Sequence, residues 1–302
     1  MVSERSGTVG EISPLEMRHG TRIDLHTHTT ASDGTLSPAE LVECALQRGI
    51  SVLAITDHDT LDGVAEARLC RQLGDPQSRP RLVSGVELST TVTGAEVHIL
   101  GYFVDESDTG LRETLAGFAQ GRRKRIELVI RKLQAIGIPL DTDAILTHAE
   151  AGSIGRPHVA RALVDLGVVT STDEAFDRYL RRDRPGWVPR DPFSPQDAVR
   201  LLADHGAIPV LAHPFSTKAV EETVKSLLPA GLVGMEVFYG EYDARQRQEL
   251  LAVADAFDLA PTGGSDFHGP RFREGRELGS VDIPGFVWER LQHVAAERGI
   301  TA

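Results

Sequence analysis

Short apolar runs alternate with amphipathic stretches along most of the chain. The runs lie at 22–28, 51–59, 81–89, 95–103, 207–214, 232–239 and 259–268. Their length and branched composition are typical of buried β-strands. The stretches between them have helical spacing and end at glycines. Strands that alternate with helices predict βαβ units, and therefore a mainly parallel sheet with right-handed crossovers.

Two of the predicted helices carry clear start and stop signals. Segment 37–40 (Ser-Pro-Ala-Glu) combines a capping box with proline at the first helical position, and Gly49 ends that helix. Segment 194–197 (Ser-Pro-Gln-Asp) begins another helix in the same way, and Gly206 ends it. Local sequence therefore predicts where these two helices begin and end.

The alternation stops between about residues 105 and 190, where only helices are predicted, at 110–136, 141–150, 156–166 and 172–182. This stretch is too long for a crossover and has its own apolar faces. We predict one α/β domain in two halves, 21–104 and 188–302, with a helical insertion at 105–187 acting as a substrate lid. Residues 1–20 lack periodicity and are expected to be a disordered leader.

Composition narrows the class of protein. The 302 residues are 41% hydrophobic and 25% charged, which is ordinary for a globular chain and excludes a collagen or a coiled coil. No run approaches the roughly 18 apolar residues of a membrane span. The two cysteines and the lack of a secretory signal predict a cytoplasmic protein. A net charge of −12 disfavours long nucleic acids and anionic membranes as partners.

The chain contains eleven histidines, and most of them lie near the carboxyl ends of the predicted strands. In chain order these strand-end residues are His26, His28, His58, Glu87, His98, His213, Asp266 and His268. Residues i and i+2 of a strand point to the same side, so His26 and His28 converge. Parallel strands end on one face of the sheet, so we expect all eight residues to meet in one concave region.

A cluster of this kind predicts bound metal. Closely packed imidazoles and carboxylates need cations to neutralise them. Nitrogen and oxygen donors without thiolate suit Mn²⁺, Fe²⁺ or Zn²⁺, and this number of donors implies two or three ions. Taken singly, each residue has an ordinary explanation, since a lone strand histidine is usually part of a core. We interpret Asp57 as orienting a neighbouring ligand and Asp59 as a turn or cap residue.

Several separated motifs, taken in order, resemble the PHP (polymerase and histidinol phosphatase) family. They are DLHTHTTASDGTLSP, LAITDHDT, GVELS, a strand histidine, AHP and GSDFHG, and they extend from residue 22 to 269. The resemblance implies a distorted (β/α)₇ barrel that holds two or three divalent metals, Mn²⁺ first among them, for phosphoester hydrolysis. It further implies that Asp33 is a ligand, although a Ser-Asp-Gly segment by itself indicates only a turn.

The resemblance also implies how the ligands are shared. One metal would be bound by His26, His28, Glu87 and Asp266. Glu87 would bridge to a second metal that is held by His98 and His213. Asp33, His58 and His268 would bind the third.

Basic residues in the predicted insertion point to a phosphorylated substrate. Segment 121–125 reads Gly-Arg-Arg-Lys-Arg, and Arg156 and His158 open the next predicted helix. Arginine offers a planar fork to phosphate, and a helix N-terminus adds backbone donors. The layout is similar to a PHP subgroup that acts on nucleotides, which implies that Arg122, Arg123 and Arg156 hold substrate phosphate. Asp33 and His158 are also predicted to contact the substrate. The second basic run, 178–184, is interpreted as surface.

The predicted function is hydrolysis of the phosphomonoester of small nucleotides, either 5′-mononucleotides or 3′,5′-bisphosphates, by a metal-activated hydroxide. His158, His213 or a metal-bound water would protonate the leaving oxygen. Three alternatives remain open at this point: a 5′→3′ exonuclease acting on short RNA 5′ ends, a histidinol-phosphate-type phosphatase, and a non-catalytic metal-binding module. A metal-dependent amidohydrolase is less favoured, because we see no lysine at any predicted strand end.

Overall fold

The computed structural model describes residues 22–72, 79–92, 95–147, 152–217, 219–270 and 275–300. The expected leader, residues 1–20, lies outside this range. The strands are β1 (Arg22–Asp24), β2 (Ile50–Ile55), β3 (Arg81–Val92), β4 (Ala95–Tyr102), β5 (Ile208–Leu211), β6 (Gly234–Tyr239) and β7 (Ala260–Gly264). They form one sheet in which each strand pairs with its neighbours in chain order.

The sheet nearly closes into a barrel. The Leu25 amide donates to the carbonyl of Gly263, and the His28 amide donates to the carbonyl of Phe267, which brings the continuation of β1 against that of β7. Strand direction departs from the expectation at one place: β4 is antiparallel to both β3 and β5, whereas the other neighbouring pairs are parallel. Only two residues separate β3 from β4, which is too short for a crossover helix.

Helices cover the sheet and form the insertion. They are α1 (Pro38–Gln47), α2 (Asp62–Gln72), α3 (Thr109–Ala135), α4 (Thr142–Thr147), α5 (Arg156–Asp165), α6 (Thr172–Ala175), α7 (Pro195–Asp204), α8 (Val220–Leu227), α9 (Ala244–Ala256) and α10 (Gly285–Glu297). A π-helical turn, Phe176–Leu180, follows α6. The predicted caps are confirmed, since Ser37 and Ser194 accept N-cap hydrogen bonds and Gly49 and Gly206 take positive φ.

The insertion has a hydrophobic core of its own. Buried side chains between residues 126 and 188, among them Val129, Leu133 and Leu163, pack together as one cluster. Near the start of α3, Leu111 and Leu115 pack instead into the barrel core. At 27 residues α3 is about 40 Å long, so one continuous helix spans both cores. No helix in the described ranges is long and apolar enough to cross a membrane.

Candidate metal centre and adjoining cavity

The first histidine pair lies where the continuations of β1 and β7 meet. His26 and His28 are fully buried, and their rings are 5.2 Å apart between centroids. A Cβ atom on Gly264 would lie 2.4 Å from the Cβ of His26, so this part of β7 approaches β1 in a way that only glycine permits. The predicted convergence of the two imidazoles is therefore observed, on backbone that continues the strand.

Glu87 is the hub of the cluster. It is fully buried on β3, and a parallel bridge pairs its backbone with that of His58 beyond the end of β2. Its Oε2 lies 3.1 Å from Nδ1 of His58, and its Oε1 lies 2.8 Å from Nδ1 of His98 and 3.0 Å from Nε2 of His213. Antiparallel β4 and parallel β5 thus both deliver a histidine to the same carboxylate.

The remaining predicted ligands complete the cluster. Oδ1 of Asp266 lies 3.2 Å from Nε2 of His28, and Oδ1 of Asp33 lies 3.2 Å from Nε2 of His268. The left-handed backbone at His213 (φ 28°) and Asp266 (φ 54°) is uncommon for residues other than glycine. Such conformations persist only where surrounding structure enforces them, and they concentrate at functional sites.

Three groups of potential ligand atoms lie close enough to surround ions, with all atoms of a group within 4.8 Å of one another. The groups are His26, His28, Glu87 and Asp266; His28, Asp33, His58 and His268; and His58, Glu87 and His98. The first matches the expected set. The other two differ in membership, because His28 and His58 each belong to two groups, and His213 contacts Glu87 outside them.

Orphaned polar atoms test whether a metal fits. Nε2 of His26, Nε2 of His28 and Oε2 of Glu87 are buried without a hydrogen-bond partner among the described residues. Together with Oδ1 of Asp266 they form four nitrogen–oxygen pairs at 3.2–3.4 Å. Ligands about 2.1 Å from one ion would be spaced about 3.0 to 3.4 Å apart. The donor set therefore fits a divalent cation, which would also satisfy these costly orphans.

The pKa values of the cluster reflect the close packing of its carboxylates and imidazoles. Burial by itself would raise the pKa of Glu87, but His58, His98 and His26 outweigh it and hold that pKa well below its usual range. Burial would likewise lower the pKa of His28, yet the adjacent carboxylates of Asp266 and Glu87 raise it to about 10. Burial prevails at His58 and lowers its pKa to about 3. Without cations the imidazole of His28 would therefore be protonated near neutral pH, and that of His58 would not.

A buried carboxylate that sequence reasoning missed supports the ligands. Oε1 of Glu236 lies 3.0 Å from Nδ1 of His26, and its Oε2 accepts the backbone N–H of His213 at 2.8 Å. Glu236 is fully buried on β6. A carboxylate on the outer nitrogen orients an imidazole ligand and leaves its inner nitrogen free for metal. The only sequence signal was one acidic residue inside an apolar strand.

The interpretation of Asp57 is refined by its contacts. Asp57 accepts hydrogen bonds from the Thr29 amide at 2.7 Å and from the Ser32 hydroxyl at 2.6 Å. Its side chain therefore fixes the loop that carries Asp33, and its backbone carbonyl accepts the amide of the predicted ligand Glu87 at 3.2 Å. Asp59, which was expected to be a turn or cap residue, pairs with Arg122 and lies 3.5 Å from Nη1 of Arg190.

A cavity of about 580 Å³ opens beside the cluster. Its lining combines predicted ligands with basic and aromatic side chains, namely Asp33, His58, Glu87, His98, His213, Asp266, His268, Arg122, Arg125, Arg156, Arg181, Arg190, Arg276, Phe176, Phe215, Tyr239 and Tyr242. Arg156 pairs with Glu96 at 2.6 Å, and Arg125 lies 3.6 Å from the same carboxylate. The cavity is thus acidic and imidazole-rich at the ligand cluster and strongly basic along the insertion.

The predicted substrate-binding residues fare differently. Asp33, Arg122 and Arg156 line the cavity, but Arg123 does not: its side chain is 46% exposed and faces Glu127 one turn along α3. Arg125, three residues after Arg122, lies on the same helix face and reaches the cavity. Helical phase was the signal that could have separated them.

His158 is also placed away from the cavity lining. Its Nδ1 accepts the backbone N–H of Gly155 at 3.1 Å, so the ring caps the start of α5. Burial lowers the pKa of His158, with Arg161 adding to the effect and Asp33 opposing it. The side chain therefore serves helix α5 in this structure, although the neighbouring Gly155 and Pro157 do line the cavity.

Comparisons with known proteins agree with this geometry. A model of the PHP domain matches residues 24–138. Over 277 residues, 89% of this chain and 99% of the relative, the chain is 36% identical to a 5′-3′ exoribonuclease of Haemophilus influenzae. Over 280 residues, 89% of this chain and 96% of the relative, it is 33% identical to a 3′,5′-nucleoside bisphosphate phosphatase of Chromobacterium violaceum.

A solved structure extends the similarity to the fold. A protein from Bifidobacterium adolescentis, described as a metal-dependent phosphoesterase, superposes with a TM-score of 0.82 at 29% identity. The superposition covers 93% of this chain and 97% of that one. A nearly closed barrel, a carboxylate–imidazole cluster at its strand ends and relatives aligned over nearly their full length all agree, and the chain belongs to the PHP family of metal-dependent phosphoesterases.

Proposed function

We propose that this protein hydrolyses a phosphate ester of small nucleotides, with nucleoside 3′,5′-bisphosphates and 5′-mononucleotides as the substrate class. One observation carries the proposal: the ligand cluster, which contains orphaned polar atoms, borders a cavity whose wall bears several arginines. The cluster suits metal-assisted ester hydrolysis, and the arginines suit phosphate. Two relatives with nucleotide-acting names support the same class.

The proposed ligands are His26, His28, Asp33, His58, Glu87, His98, His213, Asp266 and His268. Their nitrogen and oxygen donors suit Mn²⁺, Fe²⁺ or Zn²⁺, and we propose Mn²⁺ first because the family resemblance implies it. Two or three such ions, when bound, would polarise the phosphoryl oxygens and make a water nucleophilic near neutral pH. Glu87 touches two of the three groups of ligand atoms and is therefore the proposed bridging residue.

Substrate recognition is proposed to rest on the basic wall. Arg122 is held by Asp59 and by the Ser89 hydroxyl, so its guanidinium is fixed before substrate arrives. Arg156 is aligned by Glu96 and stacks 5.6 Å over the ring of Phe176. Guanidinium groups held in this way can orient a phosphate without first losing much rotamer entropy. The cavity volume is within the range usual for small-molecule sites.

We propose His213 or a metal-bound water as the proton donor to the leaving oxygen, with His213 acting through the ring nitrogen that does not bind metal. The ring of His213 lines the cavity, while the other predicted histidine donor, His158, does not. Its Nδ1 lies 3.2 Å from the Ser216 hydroxyl, and its Nε2 lies 3.0 Å from Oε1 of Glu87. Because His213 is also a proposed ligand, a substitution there is expected to lower both metal affinity and turnover.

Kinetics across a substrate panel test the proposal. The panel contains AMP, adenosine 3′,5′-bisphosphate, a 5′-phosphorylated dinucleotide and histidinol phosphate, each with added Mn²⁺. We expect the highest kcat/KM on the nucleotides and none above background with Asp266→Ala. Phosphate release from histidinol phosphate alone, or bound metal with no turnover on any phosphoester, would overturn the proposal.

Exonuclease action on short RNA 5′ ends is the second candidate. The 3′-phosphate of a 3′,5′-bisphosphate occupies the position of the first internucleotide phosphate at an RNA 5′ end. One site can therefore accept both substrates, and the two kinds of relative are chemically compatible. The net charge of −12 argues for a short substrate rather than a long RNA track.

A further inference from the structure

A second cavity, also of about 580 Å³, lies against the first and shares part of its wall. The shared residues are Glu96, Arg125, Arg156, Phe176, Arg181 and Arg190. Beyond this wall the second cavity is lined by Arg182 and Trp187, which the first cavity lacks. The proposed function uses neither of these two residues; Arg182 lies in the basic run 178–184 that was interpreted as surface, and Trp187 follows that run by three residues.

The second cavity is strongly basic. Five arginines line it, and Glu96 is the one acidic residue among its described lining residues. Glu96 is already engaged by Arg125 and Arg156. Nε of Arg190 is buried without a hydrogen-bond partner in the described part of the chain. Although the protein has a net charge of −12, the electrostatic potential of this cavity is positive and attracts phosphate.

Two aromatic side chains, Phe176 and Trp187, line the second cavity beside the arginines. Trp187 is partly exposed, and the guanidinium of Arg182 lies 5.9 Å from its ring centroid. The backbone beside it is anchored, because the Gly186 amide donates to the carbonyl of Tyr179 and Nζ of Lys132 donates to the carbonyl of Trp187. Aromatic rings beside arginines are what single-stranded nucleotides stack upon, with little preference among bases.

We propose that the second cavity binds the nucleoside that follows the scissile phosphate, with its base against Trp187 and its 3′-phosphate on Arg181 and Arg182. The proposal rests on the second candidate of the proposed function, exonuclease action on RNA 5′ ends, and it places the scissile phosphate in the first cavity. Because the two cavities share part of their wall, one short RNA can occupy both. The protein would then prefer a dinucleotide or a longer RNA 5′ end over a lone mononucleotide.

A preference ratio tests this assignment. The Mn²⁺-loaded enzyme is assayed on a 5′-phosphorylated dinucleotide that also carries a 3′-terminal phosphate and on adenosine 3′,5′-bisphosphate, and the kcat/KM of the first is divided by that of the second. We expect Arg182→Ala and Trp187→Phe to lower the ratio about tenfold and about threefold, through KM for the dinucleotide. Arg178→Ala is the matched control, because Arg178 is exposed, pairs with Glu174 and lines neither cavity. An unchanged ratio in both cavity variants would overturn the proposal.

A binding measurement separates this proposal from the proposed function. Tryptophan fluorescence of the loaded enzyme is titrated with a dinucleotide whose linkage is a non-hydrolysable methylene phosphonate. We expect quenching that disappears in Trp187→Phe, since the other tryptophan, Trp288, is buried under Arg81. Quenching that survives in that variant counts against the second cavity. Absence of turnover on every phosphoester would instead refute the proposed function, while the fluorescence result would still decide the binding site.

Discussion

Replacing Glu236 by glutamine tests whether a buried carboxylate sets the metal site. Glu236 is fully buried and receives two donors, Nδ1 of His26 at 3.0 Å and the amide of His213 at 2.8 Å. Glutamine has nearly the same shape but only one acceptor oxygen. The amide nitrogen of the glutamine must therefore face one of these donors. If it faces His26, the proton of that imidazole must move from Nδ1 to Nε2, the nitrogen that faces the ligand cluster.

The expected magnitude follows from these contacts. One unmet buried donor costs about 1 to 3 kcal/mol, which should lower the melting temperature of Glu236→Gln by several degrees. Loss of the partner that orients a histidine ligand typically costs about 10- to 100-fold in metal affinity, or about 1.4 to 2.7 kcal/mol. We therefore expect at least one Mn²⁺ site to weaken by that factor, with turnover falling at limiting Mn²⁺.

Isothermal titration of metal-stripped protein with Mn²⁺ is the assay. Glu249→Gln is the matched control, because it removes the same charge from an exposed position on α9. The control should bind Mn²⁺ like the wild type. If folded Glu236→Gln binds Mn²⁺ within twofold of the wild type, the orientation of His26 does not depend on Glu236 and the reasoning fails.

Three further predictions follow from the same contacts. Asp266→Ala should abolish turnover through lost metal, and a metal-depleted preparation of that variant with full activity, measured by phosphate release, would contradict the metal site. Arg156→Ala should raise KM for phosphorylated substrates about tenfold or more, whereas Arg123→Ala should leave KM unchanged, because only the former lines the cavity. Asp59→Ala should lower the free energy of unfolding by about 3 to 5 kcal/mol in urea titrations, since it strands the buried guanidinium of Arg122; a loss under 1 kcal/mol would show that the pair contributes little.

Much of the fold was predictable because it is encoded locally. The capping segments at Ser37 and Ser194 depend on hydrogen bonds within three residues, and the structure confirms both. The predicted helices at 110–136 and 156–166 match α3 and α5 within one residue at each end. The direction of β4 could not be predicted from apolar periodicity, because the pattern of apolar residues is the same in a parallel and in an antiparallel strand.

The candidate site was predictable by residue type more than by arrangement. Every proposed ligand lies in the cluster. These residues could be predicted because each lies near a strand end or in a motif of the PHP family. The sharing of His28 and His58 between groups was not foreseen, because it depends on how loops after β1, β2 and β7 pack in three dimensions. Arg123 was assigned through the basic segment and the family resemblance, although its helical phase turns it away from the cavity.

Local sequence is sufficient to specify the alternation of strands and helices, the ends of several helices, and the imidazole and carboxylate residues near strand ends that are placed to bind metal. These properties depend on neighbours a few residues away. Tertiary structure alone decided that Glu236 supports His26 across 210 residues of chain and that Arg190 joins Arg122 at Asp59. The physical reason is that burial in the closed barrel selects these partners, since a buried charge must find its counterpart wherever packing brings one within reach.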